Sequence, residues 1–191
     1  MLEFLKNLDI SILQFINTSS FFSWLDPITP VLTDLHLTPI FKVILISLTF
    51  LFFFKKFKRT GITYFIFLVL SLSINDFIGG VVKRYVERPR PFQVLELNVA
   101  QKSPAKENRS FYSNHSANMF NAATYLTVFF PLGCWYFFSF ATFIAFTRIH
   151  VGVHYPSDVI AGSIMGILIA FIISKIIKKI VSKTQKAYQN A

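Results

Sequence analysis

The chain alternates between long apolar runs and short segments that collect nearly all of its charge. A run from Ile40 to Phe54 (residues ~38–54) ends in Lys55, Lys56, Lys58 and Arg59. Residues ~61–82 return as a second run that carries Asn75 and Asp76 inside it. A third starts near Ser113 and ends around Pro131-Leu132-Gly133, and a fourth covers Cys134 to Phe146. The fifth, Ser157 to Ile177, leaves through Lys175, Lys178, Lys179, Lys183 and Lys186. Several runs approach the ~20 residues that cross a bilayer as a helix. The pattern therefore predicts an all-α membrane bundle of about five transmembrane helices. Five crossings put both lysine-rich ends on one side, the cytoplasmic side by the positive-inside rule, and residues 83–112 and 147–156 together on the other.

Ahead of these runs, Leu2, Leu5, Leu8, Ile12 and Phe15 recur near helical spacing, interleaved with Glu3, Lys6 and Asp9. This predicts an amphipathic helix lying on the membrane surface. Pro27 and Pro30 break up the stretch beyond Phe15. Residues 1–37 are read as an interfacial segment, a sixth span being the alternative, and residues 38–180 as the transmembrane core of one domain, 1–191. The start of the chain lacks a basic stretch before a compact apolar core, so no cleavable leader is expected.

Composition sharpens this picture. Of 191 residues 53% are hydrophobic, 24 are Phe, and mean hydropathy is +0.54, more apolar surface than a soluble domain of this size uses. The net charge of +10 raises nucleic acid as a partner, but the basic residues sit between apolar runs and no nucleic-acid motif appears. Anionic headgroups and membrane topology account for it better. The bilayer is the partner expected, no obligate protein partner is evident, and Cys134, the one cysteine, allows neither disulfide nor thiolate metal site.

Residues 83–110 depart from the charge rule: seven Lys or Arg against three Glu on the side opposite the basic clusters. An anionic ligand would supply a cause, and a loop resting on anionic headgroups is the competing reading. Three polar clusters fall on this side. Lys83 to Pro91 reads Lys-Arg-Tyr-Val-Glu-Arg-Pro-Arg-Pro, pairing a mobile ammonium at Lys83 with the planar fork of Arg90, which suits several phosphate oxygens at once. Ser110 to Ser116 opens the third span; Ser113 suits a helix cap, and free backbone N–H groups at that end suit phosphate. Thr147 to Asp158 carries Arg148, His150, His154 and Asp158, with Pro156 placed to start a helix whose first turn aims Asp158 back at His154. Singly, Ser113 is as well explained as a cap and His115 as an interfacial histidine. Together they amount to cations, amide donors and two histidines at one end of a bundle, the equipment of phosphoryl transfer.

Lys83-x6-Arg90-Pro91, Ser113-x-His115 and Arg148-x5-His154-x3-Asp158 resemble the three-part signature of the type 2 phosphatidic acid phosphatase superfamily. The resemblance covers roughly residues 75–160. It implies that His154 is a nucleophile forming a phosphohistidine, oriented by Asp158, and that His115 protonates the leaving oxygen. Lys83, Arg90, Ser113, Arg148 and the backbone amide of Asn114 would hold phosphate, with neither metal nor cofactor. The implied activity is removal of a terminal phosphate from a membrane lipid (lipid A 1-phosphate, undecaprenyl pyrophosphate or phosphatidylglycerol phosphate) at the outer, periplasmic face of the inner membrane. A lipid phosphotransferase, or a non-catalytic lipid-phosphate binding or transport protein, are the rival readings. Two departures bear on pocket shape: Tyr112-Ser113-Asn114-His115 replaces the usual Pro-Ser-Gly-His, and Thr147 the usual Ser. Asp76, two turns before Lys83, is expected to pair with a pocket cation such as Lys83. His150 is expected to be structural. Lys102, Lys106 and Arg109 are expected either to meet a headgroup or to be solvated.

Overall fold

The computed structural model describes residues 1–35, 38–105 and 108–189. Among the described residues seven α-helices carry the fold: α1 Leu2–Thr18, α2 Thr29–Asp34, α3 Pro39–Phe57, α4 Arg59–Val86, α5 Asn114–Phe129, α6 Cys134–His150 and α7 Pro156–Gln189. Among the described residues there is no strand, only one isolated bridge between Pro89 and Arg109. Residues 36–37, Lys106 and the side chain of Lys186 lie outside the description.

The arrangement is centred on α5. It is 16 residues long, roughly 24 Å at 1.5 Å per residue, and packs against α4, α6 and α7. Several of its polar side chains are matched inside the bundle. Ser71 donates to Asn121 at 3.0 Å, Asn75 to Asn118 at 2.6 Å, and the Ser116 and Ser163 hydroxyls meet at 2.7 Å. A helix shielded from lipid by its neighbours tolerates such residues. On α7, Gly162 and Gly166 let the backbones meet: a Cβ there would fall 2.5 Å and 2.0 Å from the Ser113 and Ala117 carbonyl oxygens.

Among the described residues three stretches are long and apolar enough to cross a membrane: Arg59–Val86, Pro131–His150 and Pro156–Thr184. α3, expected as a span, has 19 residues but carries Lys42, Lys55 and Lys56. α5 is both short and polar, so five full spans are not evident by length and composition.

Both lysine-rich ends converge at the C-terminus of α5. Lys56 Nζ donates to the Phe129 carbonyl at 2.9 Å and Lys178 Nζ to that of Val128 at 2.8 Å, satisfying carbonyls that a helix end leaves open. The three polar clusters gather at the opposite end, around Ser113.

The N-terminal segment is docked as well as amphipathic. Leu5, Leu8, Ile12 and Phe15 do form an exposed apolar face. A second face, with Leu13 and Ile16, is buried against Leu97, Ala145, Ile149, Tyr155 and Val159. Asn17 reinforces the docking by donating to the Ala100 and His150 carbonyls at 2.9 and 2.8 Å.

Candidate active site

Each cluster is held by a local rule of chain geometry. α4 stops at Val86 because Glu87 turns left-handed, at φ 49°, ahead of Pro89 and Pro91. Lys83, in the last turn, is buried and donates to the Tyr112 carbonyl at 2.6 Å. Ser113 caps α5 with extended backbone, its Oγ accepting from Ser116 N, and the N–H groups of Asn114 and His115 open the helix. α6 ends at His150, Gly152 reverses the chain at φ +76°, and Pro156 begins α7.

These segments are stitched together by backbone bonds. Ser113 N donates to the Asp158 carbonyl at 3.0 Å, joining the second and third clusters. Arg90 Nη1 donates to the Val153 carbonyl at 2.8 Å, joining the first and third. Lys83, Arg90, Ser113, Arg148, His154 and Asp158 are all buried, and Asn114 and His115 partly so. The eight residues expected at a phosphate site therefore sit on segments that meet at one end of the bundle.

His154 stands between a cation and a carboxylate. Its Nε2 is 3.4 Å from Arg90 Nη1, and its Nδ1 is 3.5 Å from Asp158 Oδ2. The second is a close approach and not a hydrogen bond: Nδ1 is buried without a hydrogen-bond partner among the described residues. Asp158 is fully buried; Oδ2 also accepts from Tyr155 N at 3.0 Å and Oδ1 from Arg88 Nη1 at 2.7 Å. Burial holds the His154 imidazole well below the usual histidine range, and the charges of Arg148, Arg90 and Lys83 push it the same way. The ring is neutral at neutral pH, and an Nδ1 proton facing the carboxylate leaves the lone pair on Nε2.

Arg148 Nη1 donates to Thr33 Oγ1 and lies 3.6 Å from Asp34 Oδ1, both on α2. His150 is structural, as expected: its Nδ1 lies 2.8 Å from Thr29 Oγ1 and its Nε2 3.3 Å from both the Phe22 carbonyl and Asp26. Lys102 is also structural, donating to the Asn17 carbonyl and to Asp26. Asp76 corrects an expectation. It is exposed, not buried, and accepts from Asn118 and Asn114 at 2.9 and 3.4 Å, while the Lys83 ammonium points at the Tyr112 carbonyl. Asn114 thus turns its side chain toward α4. Arg109 pairs with Glu87 at 2.9 Å and lines, with Gly80, Lys83, Arg84 and Asn108, a cleft of about 460 Å³ opening beside Lys83.

Sequence reasoning missed Arg88, Asp9, Thr33 and Asp34 as neighbours of the site. Arg88 had a signal, being one of four cations within the first cluster. The α1 and α2 residues had none, because their contacts span more than a hundred positions in most cases. Among the described residues, no three His, Cys, Asp or Glu side chains converge as a metal-ligand set.

Comparison with known proteins identifies the family. The chain is 32% identical over 117 residues to an undecaprenyl-diphosphatase of Sulfolobus acidocaldarius, covering 61% of this chain and 54% of that one. It is 28% identical over 103 residues to a lipid A 1-phosphatase of Rhizobium johnstonii, covering 52% and 42%. These matches span about half the length of those relatives. A lipid A 4'-phosphatase of Bacteroides thetaiotaomicron matches more widely, 26% over 178 residues, with 87% and 75% covered. Aquifex aeolicus LpxE superposes with TM-score 0.72 at 27% identity, over 88% of this chain and 95% of that one. The fold is shared with a phosphatidylglycerolphosphate phosphatase from Bacillus subtilis, TM-score 0.72 at 22% identity, over 92% and 87%. Residues 64–182, well over half the chain and spanning all three clusters, match the sequence model of the PAP2 superfamily, and the chain belongs to that family.

Proposed function

We propose that this protein is a metal-independent lipid phosphatase that removes a terminal phosphate through a phosphohistidine on His154. The observation that carries this reading is the imidazole itself. It is buried and kept neutral by that burial and by the charges of Arg148, Arg90 and Lys83, with Asp158 Oδ2 3.5 Å from Nδ1 and Arg90 Nη1 3.4 Å from Nε2. Nε2 attacks phosphorus as the bond from phosphorus to the lipid oxygen breaks, and His115 gives that oxygen a proton. Water then attacks the phosphohistidine and loses its proton to His115. The phosphorus–nitrogen bond breaks and inorganic phosphate leaves. Lys83, Arg90, Arg148, Ser113 and the first amides of α5 hold the phosphate oxygens and neutralise their growing charge.

The relatives named above act, by their names, on an undecaprenyl diphosphate or on lipid A phosphates, and we read the substrate here as one of these or phosphatidylglycerol phosphate. Acyl or prenyl chains stay in the bilayer while the headgroup enters beside the cleft at Lys83, Arg84 and Arg109. Lysine-rich ends at the far end of α5 favour a site on the outer face of the inner membrane.

Phosphate release from purified protein in detergent tests the reading, with EDTA present and a panel of lipid A 1-phosphate, undecaprenyl pyrophosphate, phosphatidylglycerol phosphate and phosphatidic acid. Release from one lipid at an unchanged rate in EDTA is the expected result. Release abolished by EDTA and restored by a divalent cation would overturn metal independence. Phosphate appearing only on an added lipid hydroxyl would make the protein a transferase.

The pH profile provides a second check. Because the His154 pKa is depressed, the ring stays deprotonated as pH falls through the ordinary histidine value of about 6.5. With the lipid phosphate's own ionisation divided out, kcat/KM is expected to hold through that range and to fall only at more acid pH. An acid limb at or above the ordinary value would contradict the assignment.

A further inference from the structure

Arg88 lies in the first cluster, yet its donors are turned away from the phosphate site. Nη1 donates to Asp158 Oδ1 and to Ser157 Oγ, both at 2.7 Å, and Nη2 donates to Asp9 Oδ2 at 2.8 Å. The guanidinium lies over the Tyr155 ring, 3.7 Å from its centroid. Asp9, on α1 and nearly buried, also accepts from Ser157 N at 2.8 Å and Ser157 Oγ at 2.6 Å. A carboxylate from the N-terminal helix thus occupies the start of α7 and grips the same guanidinium that grips Asp158.

We propose that Arg88 and Asp9 are positioning residues, a relay by which the N-terminal helix orients the carboxylate that orients His154. The inference rests on the reading of His154 and Asp158 given above. Three features carry it. A fully buried carboxylate is stable only with a paired counter-charge, and Arg88 is the cation bonded to Asp158. A carboxylate plane is set by two grips: Arg88 holds Oδ1 and Tyr155 N holds Oδ2, and together they leave Oδ2 facing His154 Nδ1. The fork is itself fixed on three sides, by Asp9, Ser157 and the Tyr155 ring, so its geometry is transmitted instead of absorbed. Commitment to two carboxylates also separates Arg88 from Lys83, Arg90 and Arg148, which surround His154.

The test compares Arg88→Met, Arg88→Lys and Asp9→Asn with the wild type and with His154→Ala. Turnover of undecaprenyl pyrophosphate and lipid A 1-phosphate, inhibition by inorganic phosphate and the melting temperature are measured for each. Arg88→Met is expected to lower kcat about 10²-fold, the scale of a misplaced catalytic group, with the inhibition constant for phosphate changed by less than about threefold. Arg88→Lys keeps the charge without the fork and is expected to recover part of the loss. Asp9→Asn keeps an acceptor for Ser157 N but weakens the grip on Arg88, and is expected to cost kcat about tenfold. Should Arg88→Met fail to fold, Asp9→Asn carries the test alone.

A folded Arg88→Met or Asp9→Asn protein with native kcat would reduce the relay to a structural staple. Weaker phosphate inhibition in proportion to lost kcat would make Arg88 a phosphate ligand and overturn the proposal equally. Turnover retained by His154→Ala, or absent from the wild type, would instead overturn the site reading beneath it.

Discussion

Replacing His154 with alanine is expected to lower kcat by at least about 10⁴-fold, the scale seen when a nucleophile or its base is removed from an acting unit. The ring supplies the attacking Nε2, and of the other described imidazoles His115 is committed to proton transfer in the proposed mechanism. His150 is tied to Thr29, Phe22 and Asp26. The loss should appear in kcat with substrate binding largely kept, because Lys83, Arg90, Arg148 and the start of α5 remain. Arg90 retains its bond to the Val153 carbonyl, so the loop keeps its main anchor. Single-turnover labelling supplies the decisive reading. Wild-type protein given a lipid with labelled phosphate should trap an acid-labile, alkali-stable phosphoprotein, and His154→Ala should trap none. Label on the variant equal to that on the wild type would move the nucleophile elsewhere.

How far the site could be read from sequence depends on where its residues lie. Lys83, Arg90, Ser113, Arg148, His154 and Asp158 are polar residues at the ends of apolar runs, and the basic ones stand out by lying on the side opposite the lysine-rich ends. The cap at Ser113 and the helix start at Pro156 obey local rules, and both occur. The docking of α1 was not legible. Beside lipid, an apolar face says nothing about whether protein or bilayer covers it, so the stripe at Leu5 and Leu8 masked the one at Leu13 and Ile16. Five spans are not confirmed for a related reason: hydropathy measures a helix against lipid, whereas α5 is measured against α4, α6 and α7. Asp76 illustrates the limit of periodicity. Its two-turn spacing from Lys83 places both on one side of α4, but Asn114 and Asn118 reach it from α5.

Asp158→Asn tests the same imidazole from its other nitrogen, and the two oxygens of Asp158 make the outcome sharp. Oδ1 receives Arg88 Nη1, while Oδ2 receives Tyr155 N and faces His154 Nδ1. Both sides present donors, and an asparagine has only one acceptor to offer. If its amide nitrogen turns toward Arg88, two donors oppose each other and a half-buried guanidinium loses a partner. If the nitrogen turns toward His154, it gives up the Tyr155 N bond, donates to Nδ1 and drives the ring proton onto Nε2, the atom that must attack. The second arrangement leaves a folded protein with the wrong tautomer, for which the expected loss is about 10⁴-fold in kcat. The first loses stability, with the melting temperature falling and residual turnover in the folded fraction. Nitrogen-15 NMR of the labelled histidines separates them, because the protonated and bare ring nitrogens differ widely in shift. A folded Asp158→Asn protein that keeps the native tautomer and native kcat would remove the carboxylate from the mechanism and leave Arg90 alone to orient the ring.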